Sequence, residues 1–262
     1  MLIIEDKVFN APAIDGDCEQ VWGDKDDKIF RRCVFDLRSI DTKDQDELVD
    51  VIKGGRASFT GCVFLGGIKA LLIGNGDHPI EDYGNAHAFL EDCAIIGCGR
   101  RCPEVQHGAR ADLRRVWVHN WGDRFDVRAF GAWAHSGGVI CAQHCLFTRS
   151  KGLGVVNAIK DLANHIGEAV NEYGLTALLS PRTYLPGTLR GLTADTGGIT
   201  IGTSCWRNDH SIRVDGCDTF LDDDEVVKIV SMIEKSCPDM TPYLGSTLLQ
   251  YFMTEIHERG ER

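Results

Sequence analysis

A short apolar phrase recurs through the first half of the chain. It begins as "FRRCVF" at Phe30 and "FTGCVF" at Phe59, and looser copies start at Leu90, Leu113 and Ala142. The starting positions are separated by 29, 31, 23 and 29 residues, and steps of this size are typical of one structural unit per repeat. Each phrase is six residues long and rich in Cys, Val, Phe and Ile, which predicts one short strand in each unit.

The segments between the phrases are polar and rich in glycine, as in "GCGRRCPEVQHGARAD" before Leu113. Such segments form turns and loops. A short strand followed by an irregular coil, stacked on its next copy, describes a parallel β-helix, and an ordinary β-sandwich with chance similarity between strands is the alternative. We predict an all-β solenoid in which Cys33, Cys62 and Cys93 form one internal column, because a free thiol packs as a small hydrophobe.

Composition and charge narrow the class of protein. The 262 residues are 43% hydrophobic, and no apolar run approaches the ~20 residues that a membrane span requires. The opening "MLIIEDKVFNAPAIDGD" lacks the basic and apolar regions of a signal peptide, so we expect none. The net charge of −11 argues against nucleic acid as a partner. Eleven Cys residues without CxxC pairs indicate reduced, packed thiols rather than a disulfide framework.

The acidic residues are concentrated in two segments. "DGDCEQVWGDKDD" (15–27) and "DTKDQDELVD" (41–50) precede Lys53, whereas an arginine-rich stretch runs from Arg100 to Arg128. Acidic runs are usually solvated faces. Here the two runs fall on successive coils of the predicted stack and can converge, and converging carboxylates favour a hard cation such as Ca²⁺.

Four motifs follow one another between residues 15 and 108. They are "DGD" at 15–17, Asp46-x-x-x-Asp50 followed by "VIKG", "KALLIGNGD" from Lys69, and "RCPEVQHG" from Arg101. In order, spacing and residue type they resemble the motifs of the pectate lyases of polysaccharide lyase family 1. The resemblance extends over residues 15–150, and four motifs in register are far more specific than any one of them alone.

The resemblance implies a fold, a reaction and a set of site residues. The family's fold is a right-handed, single-stranded parallel β-helix, and its reaction is β-elimination across a 1,4-linked uronate. By resemblance, the Ca²⁺ ligands are Asp17, Asp46 and Asp50, with Asp15 as a further candidate. The metal acts as a Lewis acid on the substrate carboxylate, Lys69 adds a second positive contact to it, and Arg101 is the base. Taken singly, each of these residues fits an ordinary structural role.

The chain departs from the family pattern at several positions. Arg31-Arg32 replace the family's Asp-His after Trp-Ile. Gln106 replaces the second arginine of the motif that begins at Arg101, for which His107 or Arg110 could substitute as substrate-binding donors. The DGD motif also begins only 15 residues into the sequence. An open β-helix end exposes strand edges, so we expect a homo-oligomer or a larger assembly to cover the N-terminal end.

The character of the sequence changes after residue 150. We therefore place a β-helix domain at 1–150 and a mixed extension at 151–262, with helices near 153–174, 222–237 and 243–260. The first of these carries apolar residues at helical spacing, and the second opens with an acidic first turn. The extension is expected to pack on the solenoid or on a partner subunit.

Together these features predict a calcium-dependent lyase that cleaves an acidic polysaccharide, in a secreted or virion-associated protein. The alternative is a non-catalytic module that binds glycans or serves a structural role, such as a phage tail component with a degenerate lyase site. Gln106 and the missing Asp-His pair favour the second interpretation, whereas Lys69 and Arg101 favour the first.

Overall fold

The structure is a computed structural model. It describes residues 1–10, 17–23, 26–38, 47–74, 86–99, 101–121, 130–150, 189–194, 199–208, 212–214 and 219–260. These residues form strands that belong to three sheets, followed by three helices.

Every strand pairs with its sheet neighbours in parallel. Sheet A contains β1 (Leu2–Glu5), β4 (Asp27–Arg31), β7 (Arg56–Thr60), β10 (His87–Glu91), β13 (Arg110–Arg114), β16 (Val139–Gln143) and β19 (Ile199–Thr203). Sheet B contains β2 (Val8–Phe9), β5 (Val34–Asp36), β8 (Val63–Leu65), β11 (Ala94–Ile96), β14 (Trp117–Trp121), β17 (Leu146–Ser150), β20 (Trp206–Arg207) and β22 (Thr219–Phe220). Sheet C contains β3 (Glu19–Trp22), β6 (Glu47–Ile52), β9 (Lys69–Ile73), β12 (Glu104–Val105), β15 (Phe130–Ala134), β18 (Leu189–Ala194) and β21 (Ile212–Val214).

From β1 to β21, successive described strands belong to sheets A, B and C in that repeating order, so neighbouring strands within a sheet are three strands apart along the chain. We call one such passage a triplet. The predicted all-β architecture with parallel strands is thereby confirmed. The strands at 189–220 continue the same sheets beyond the boundary predicted at residue 150.

The recurring phrases lie in register, as predicted, because Phe59 pairs with both Phe30 and Leu90. The prediction of one strand per phrase is wrong. Each phrase contains the end of a strand in sheet A, a corner residue with positive φ, and the start of a strand in sheet B. The corner residues are Arg32 (φ 51°), Gly61 (62°), Asp92 (53°), Arg115 (51°) and His144 (53°). The Arg32 N–H donates to the Thr60 carbonyl at 2.9 Å, and the other corners repeat this bond, so the ladder between triplets continues through the bend.

The core between the sheets is built from stacked identical side chains. Cys33, Cys62 and Cys93 are all fully buried, and the Sγ atoms of Cys62 and Cys93 each donate to a carbonyl of the preceding triplet at 3.5 Å. The predicted internal column of thiols is thus confirmed. The rings of Phe30 and Phe59 stack with their centroids 5.0 Å apart. Repetition of the phrase therefore produces repetition of the packing.

The C-terminal helices cover the opposite face of sheet B. They are α1 (Asp223–Glu234), α2 (Thr241–Leu244) and α3 (Leu248–Gly260). The cluster beneath them joins sheet residues to helix residues: Val34, Val63, Leu65, Ala94, Ile96, Trp117 and Leu146 meet Val226, Val230, Ile233, Leu248 and Phe252. The middle of sheet B is buried on both faces, which explains why β8 and β11 are wholly apolar. α1 and α3 lie within the ranges predicted at 222–237 and 243–260, and the helix predicted at 153–174 lies outside the described residues.

One polar network ties α3 to this sheet. The Thr148 hydroxyl lies 2.7 Å from both the Trp117 indole nitrogen and His119 Nδ1, and His119 Nε2 lies 2.8 Å from a Glu255 carboxylate oxygen. The His119 side chain is fully buried. None of the described helices is long and apolar enough to cross a membrane.

At the N-terminal end of the stack, β1, β2 and β3 are the terminal strands of their sheets, and each pairs on one side only among the described strands. Leu2 and Ile3 are 54% and 48% exposed there. Coverage of this end by another subunit stays a prediction.

Candidate functional site

A row of charged residues crosses the start of the sheet C strands. Glu47 is the first residue of β6, and it pairs in register with Lys69, the first residue of β9. Lys69 in turn bridges to Arg101, just before β12. Parallel pairing in register therefore places three charged residues from three successive triplets side by side.

The acidic end of this row is a cluster of three buried carboxylates. One oxygen from each of Asp17, Glu47 and Asp50 lies within 4.8 Å of the others, and their exposed fractions are 2%, 6% and 6%. Asp17 accepts from the Gln20 amide at 3.0 Å and from the Glu47 backbone N–H at 3.2 Å. Among the described residues, the buried Asp50 Oδ1 has no hydrogen-bond partner.

Three carboxylates in so small a volume repel one another. Burial raises the pKa of Asp50 to about 9, and the neighbouring Asp17 and Glu47 charges add to the effect. Burial likewise raises the pKa of Asp17 to about 7, with a further contribution from Glu47 against the hydrogen bond from Gln20. A buried carboxylate oxygen without a donor is costly unless a cation or a proton neutralises it.

The donor set fits a hard divalent cation. Oxygens bound to one Ca²⁺ at about 2.3–2.6 Å can be up to about 5 Å apart, and the three carboxylates meet this limit. Of the predicted ligands, the structure brings Asp17 and Asp50 together. Asp15 and Asp46 lie outside the described residues. Glu47 was missed, because the family motif directed attention to the adjacent Asp46.

The basic end of the row is held by a fourth buried acid, Glu104, which was also missed. Lys69 pairs with Glu47 and lies 3.5 Å from Glu104 Oε2, and Arg101 Nη1 donates to Glu104 Oε1 at 2.5 Å. The Arg101 guanidinium also lies 4.3 Å above the Trp133 ring. Among the described residues, its buried Nε has no acceptor.

Glu104 also engages His135. Burial acts to raise the pKa of Glu104, but Arg101, the His135 hydrogen bond and Lys69 outweigh it and hold this pKa well below its ordinary value. His135 Nε2 lies 2.8 Å from Glu104 Oε1, and its Nδ1 lies 3.0 Å from the Ser136 hydroxyl. The imidazole stacks on Trp133 with the ring centroids 4.0 Å apart.

The predicted substrate-binding residues are divided between sheets. Gln106 is buried in the turn after β12. His107 follows it, with its N–H donating to the Ser136 carbonyl at 3.0 Å, and burial together with the nearby His135 lowers its pKa. Arg110 instead belongs to β13 in sheet A, where it binds both carboxylate oxygens of Asp112 at 2.8 and 2.6 Å. The structure therefore brings Lys69 and Arg101 together at the starts of the sheet C strands, places the His107 turn after the end of β12, and engages Arg110 in sheet A.

No family model matches the chain, and neither the curated proteins nor the solved structures contain a match. The geometry itself defines a carboxylate cluster suited to a divalent cation, next to two buried cationic side chains. Such a combination can bind an anionic group between the metal and the cations.

Proposed function

We propose that this protein is a calcium-dependent lyase that cleaves a 1,4-linked polyuronate by β-elimination. The observation that carries the proposal is the register in sheet C, in which the buried cluster of Asp17, Glu47 and Asp50 adjoins Lys69 and then Arg101. The sequence resemblance to pectate lyases supports the same assignment of Asp17, Asp50, Lys69 and Arg101.

The proposal includes a finer fold assignment, the right-handed parallel β-helix. The order of strands through three parallel sheets supports it. Crossover connections between parallel strands are right-handed in about 98% of cases, so a coil closed by the three sheets would take that hand.

Asp17, Glu47 and Asp50 would hold the calcium ion. When bound, the ion supplies a Lewis acid that stabilises the negative charge developing on the uronate carboxylate. The cluster explains how a protein with a net charge of −11 can bind a polyanion, because the cation separates the two sets of negative charges.

Lys69 and Arg101 would contact the substrate directly. Once the calcium ion neutralises the carboxylate cluster that includes Glu47, the Lys69 ammonium would move from Glu47 towards the uronate carboxylate. Neutral Arg101 would accept the proton α to that carboxylate, a C=C bond would form as the C–O bond to the glycosidic oxygen breaks, and the departing oxygen would take a proton from water. For this step Arg101 must first lose a proton, because a charged guanidinium only donates, and the Arg101–Glu104 ion pair must open, because that contact stabilises the charged form.

A second candidate function is supported by that same ion pair. Arg101 donates to Glu104 at 2.5 Å and lies over Trp133, which suits a guanidinium that binds acidic sugars without removing a proton. The rival is therefore a glycan-binding or structural module, such as a virion component. For the lyase and for a glycan-binding module, an acidic polysaccharide would be the partner, and a secreted or virion-associated location would follow from that partner.

One assay panel separates the candidates. The protein is incubated with polygalacturonate, alginate, glucuronan and bacterial capsules, with Ca²⁺ or with a chelator, and the ultraviolet absorbance of unsaturated products is followed. Calcium-dependent absorbance on one polymer supports the lyase. Binding in calcium without absorbance on any polymer supports the binding module. If no polymer gives either absorbance or binding, both the lyase and the glycan-binding module are rejected.

A further inference from the structure

Three side chains form a continuous hydrogen-bonded chain from the interior to the surface. Glu104 Oε1 lies 2.8 Å from His135 Nε2, and His135 Nδ1 lies 3.0 Å from Ser136 Oγ. The side chain of Glu104 is 3% exposed and that of His135 is 12% exposed, while Ser136 is half-buried. Glu104 is held in place by register, because it pairs with Trp133 across β12 and β15.

The position of the imidazole proton follows from Glu104. Because Arg101 and Lys69 help to keep the pKa of Glu104 low, its carboxylate is ionised and can only accept hydrogen bonds. His135 Nε2 must then carry a proton, and in the neutral imidazole with this tautomer the lone pair on Nδ1 faces the Ser136 hydroxyl. Ser136 therefore donates to His135, and the imidazole is oriented as a base towards that hydroxyl.

The backbone of the same turn offers donors. In the described part of the chain, the N–H groups of Ser136 and Gly137 make no hydrogen bond, whereas the next N–H, that of Gly138, donates to the His135 carbonyl at 2.8 Å. Unpaired N–H groups on a nucleophile and on the residue after it are of the kind that stabilises a tetrahedral oxyanion. Gly138 holds the turn close to β12, since a Cβ there would lie 2.2 Å from the Val105 carbonyl oxygen.

The conformation of the turn is not special to Ser136. Lys53 and His107 have the same positive φ, 51° and 52°, each followed by a glycine with positive φ, as Ser136 (48°) is by Gly137. The turn is thus a repeated element of the fold. What distinguishes this copy is the hydroxyl placed against an imidazole that a buried carboxylate orients, which is the constellation of serine hydrolases.

We propose that this molecule carries a second activity, the hydrolysis of carboxylic esters of small acyl groups, with Ser136 as nucleophile, His135 as general base and Glu104 as the residue that positions His135. Ser136 Oγ attacks the ester carbonyl carbon while His135 Nδ1 takes the hydroxyl proton. The ester C–O bond breaks, and the departing alcohol receives that proton from His135. Water, deprotonated by His135, then attacks the acyl group on Ser136, which releases the acid and restores the hydroxyl. The half-buried position of Ser136 favours short acyl groups such as acetyl.

The activity needs no metal, so it is tested in the presence of a chelator. The full-length protein is treated with a fluorophosphonate probe, the labelled peptide is identified by mass spectrometry, and p-nitrophenyl acetate hydrolysis is measured in parallel. We expect label on Ser136 in the wild type. Ser136→Ala should lose both label and turnover, and His135→Gln should reduce both about 1,000-fold, within the range that general acid–base catalysis contributes. Ser58→Ala, a change on β7 outside the triad, should leave both unchanged.

Glu104 requires a separate readout, because its loss also disturbs Arg101 and Lys69. If it positions His135, Glu104→Gln should lower kcat for the ester with little change in KM, and Glu104→Asp should restore part of kcat. A folded wild-type protein that takes no label at Ser136, or a Ser136→Ala variant that hydrolyses the ester at the wild-type rate, overturns the proposal. Neither outcome bears on the calcium-dependent lyase, since the chelator removes the ion on which that activity depends.

Discussion

Glu47 and Lys69 lie opposite each other in the register of β6 and β9, and their side chains form an ion pair in which the exposed fractions are only 8% and 10%. Lys69 also lies 3.5 Å from Glu104. Removing this ammonium would take the cationic partner from the buried Glu47 carboxylate and one of two from Glu104, which keeps Arg101. We therefore expect Lys69→Ala to lower the free energy of unfolding by about 3–5 kcal/mol, as broken buried ion pairs do.

The control for this substitution is an exposed ion pair. Arg31 and Glu5 lie 2.9 Å apart with half of each side chain exposed, so Arg31→Ala should cost about 0–1 kcal/mol. Chemical denaturation of both variants gives the comparison. Equal losses would show that the buried position of Lys69 does not matter energetically.

The raised pKa of Asp50 predicts how stability depends on pH without calcium. Because the folded-state pKa, about 9, lies above the ordinary value of 3.8, the folded protein binds the proton more tightly than the unfolded chain. In a chelator, stability should therefore be greatest below pH 3.8 as far as this group is concerned, and should fall as pH rises towards 9. Asp50→Asn should flatten this dependence, and an unchanged pH profile of Tm in that variant would contradict the assignment.

Calcium should reverse this loss by neutralising the deprotonated cluster. We expect added Ca²⁺ to raise Tm at neutral pH through preferential binding to the folded state. The double variant Glu47→Gln, Asp50→Asn should show no such shift in calorimetry. Asp112→Asn, a change in the Arg110 ion pair on sheet A, should retain it. The same shift in the double variant as in the wild type would place the calcium site elsewhere.

The proposed base is tested once a substrate has been found. Arg101→Lys should keep the fold, calcium binding and glycan affinity but lose kcat with little change in KM, because lysine lacks the planar donor fork and reach of the guanidinium. Arg114→Lys, on an exposed position of β13, should be nearly silent. A wild-type rate for Arg101→Lys would exclude Arg101 as the base.

Substitution to alanine should cost more at the corner residue Gly61 than at Gly97. A Cβ at this position would lie 2.0 Å from the Ser236 carbonyl oxygen, whereas at Gly97, which also has positive φ, it would meet nothing within 4 Å. Both alanine substitutions carry the left-handed backbone cost of about 1–2 kcal/mol. Gly61→Ala should lose about 1–3 kcal/mol more, because the segment after α1 must move. Similar denaturation midpoints for the two variants would contradict this prediction.

The repeat period and the thiol column could be predicted from the sequence because each triplet buries equivalent positions. The corner inside each phrase could not. In four of the five phrases the corner residue is Arg, Asp or His, and these residue types give little signal for a left-handed conformation. Only the glycine at position 61 suggests it.

The site was predicted in part for a related reason. Asp17, Asp50, Lys69 and Arg101 belong to motifs that can be read locally. Glu47 and Glu104 acquire their roles from register, because their partners come from other triplets and are brought beside them only when sheet C forms. His135 lies 31 residues beyond Glu104, and no local pattern joins the two.

The network of Trp117, Thr148, His119 and Glu255 has a consequence for assembly of the fold. The outer side chains of sheet B are apolar on several successive triplets, so hydrophobic burial alone would let α3 settle at more than one height along the stack. A buried imidazole that needs a carboxylate partner occurs at one of those heights. Docking one triplet away would place Glu255 near Ile96 on one side or Thr148 on the other, and neither residue offers an imidazole. The network thus fixes the position of α3 along the stack, because it distinguishes one triplet on a surface that is otherwise periodic.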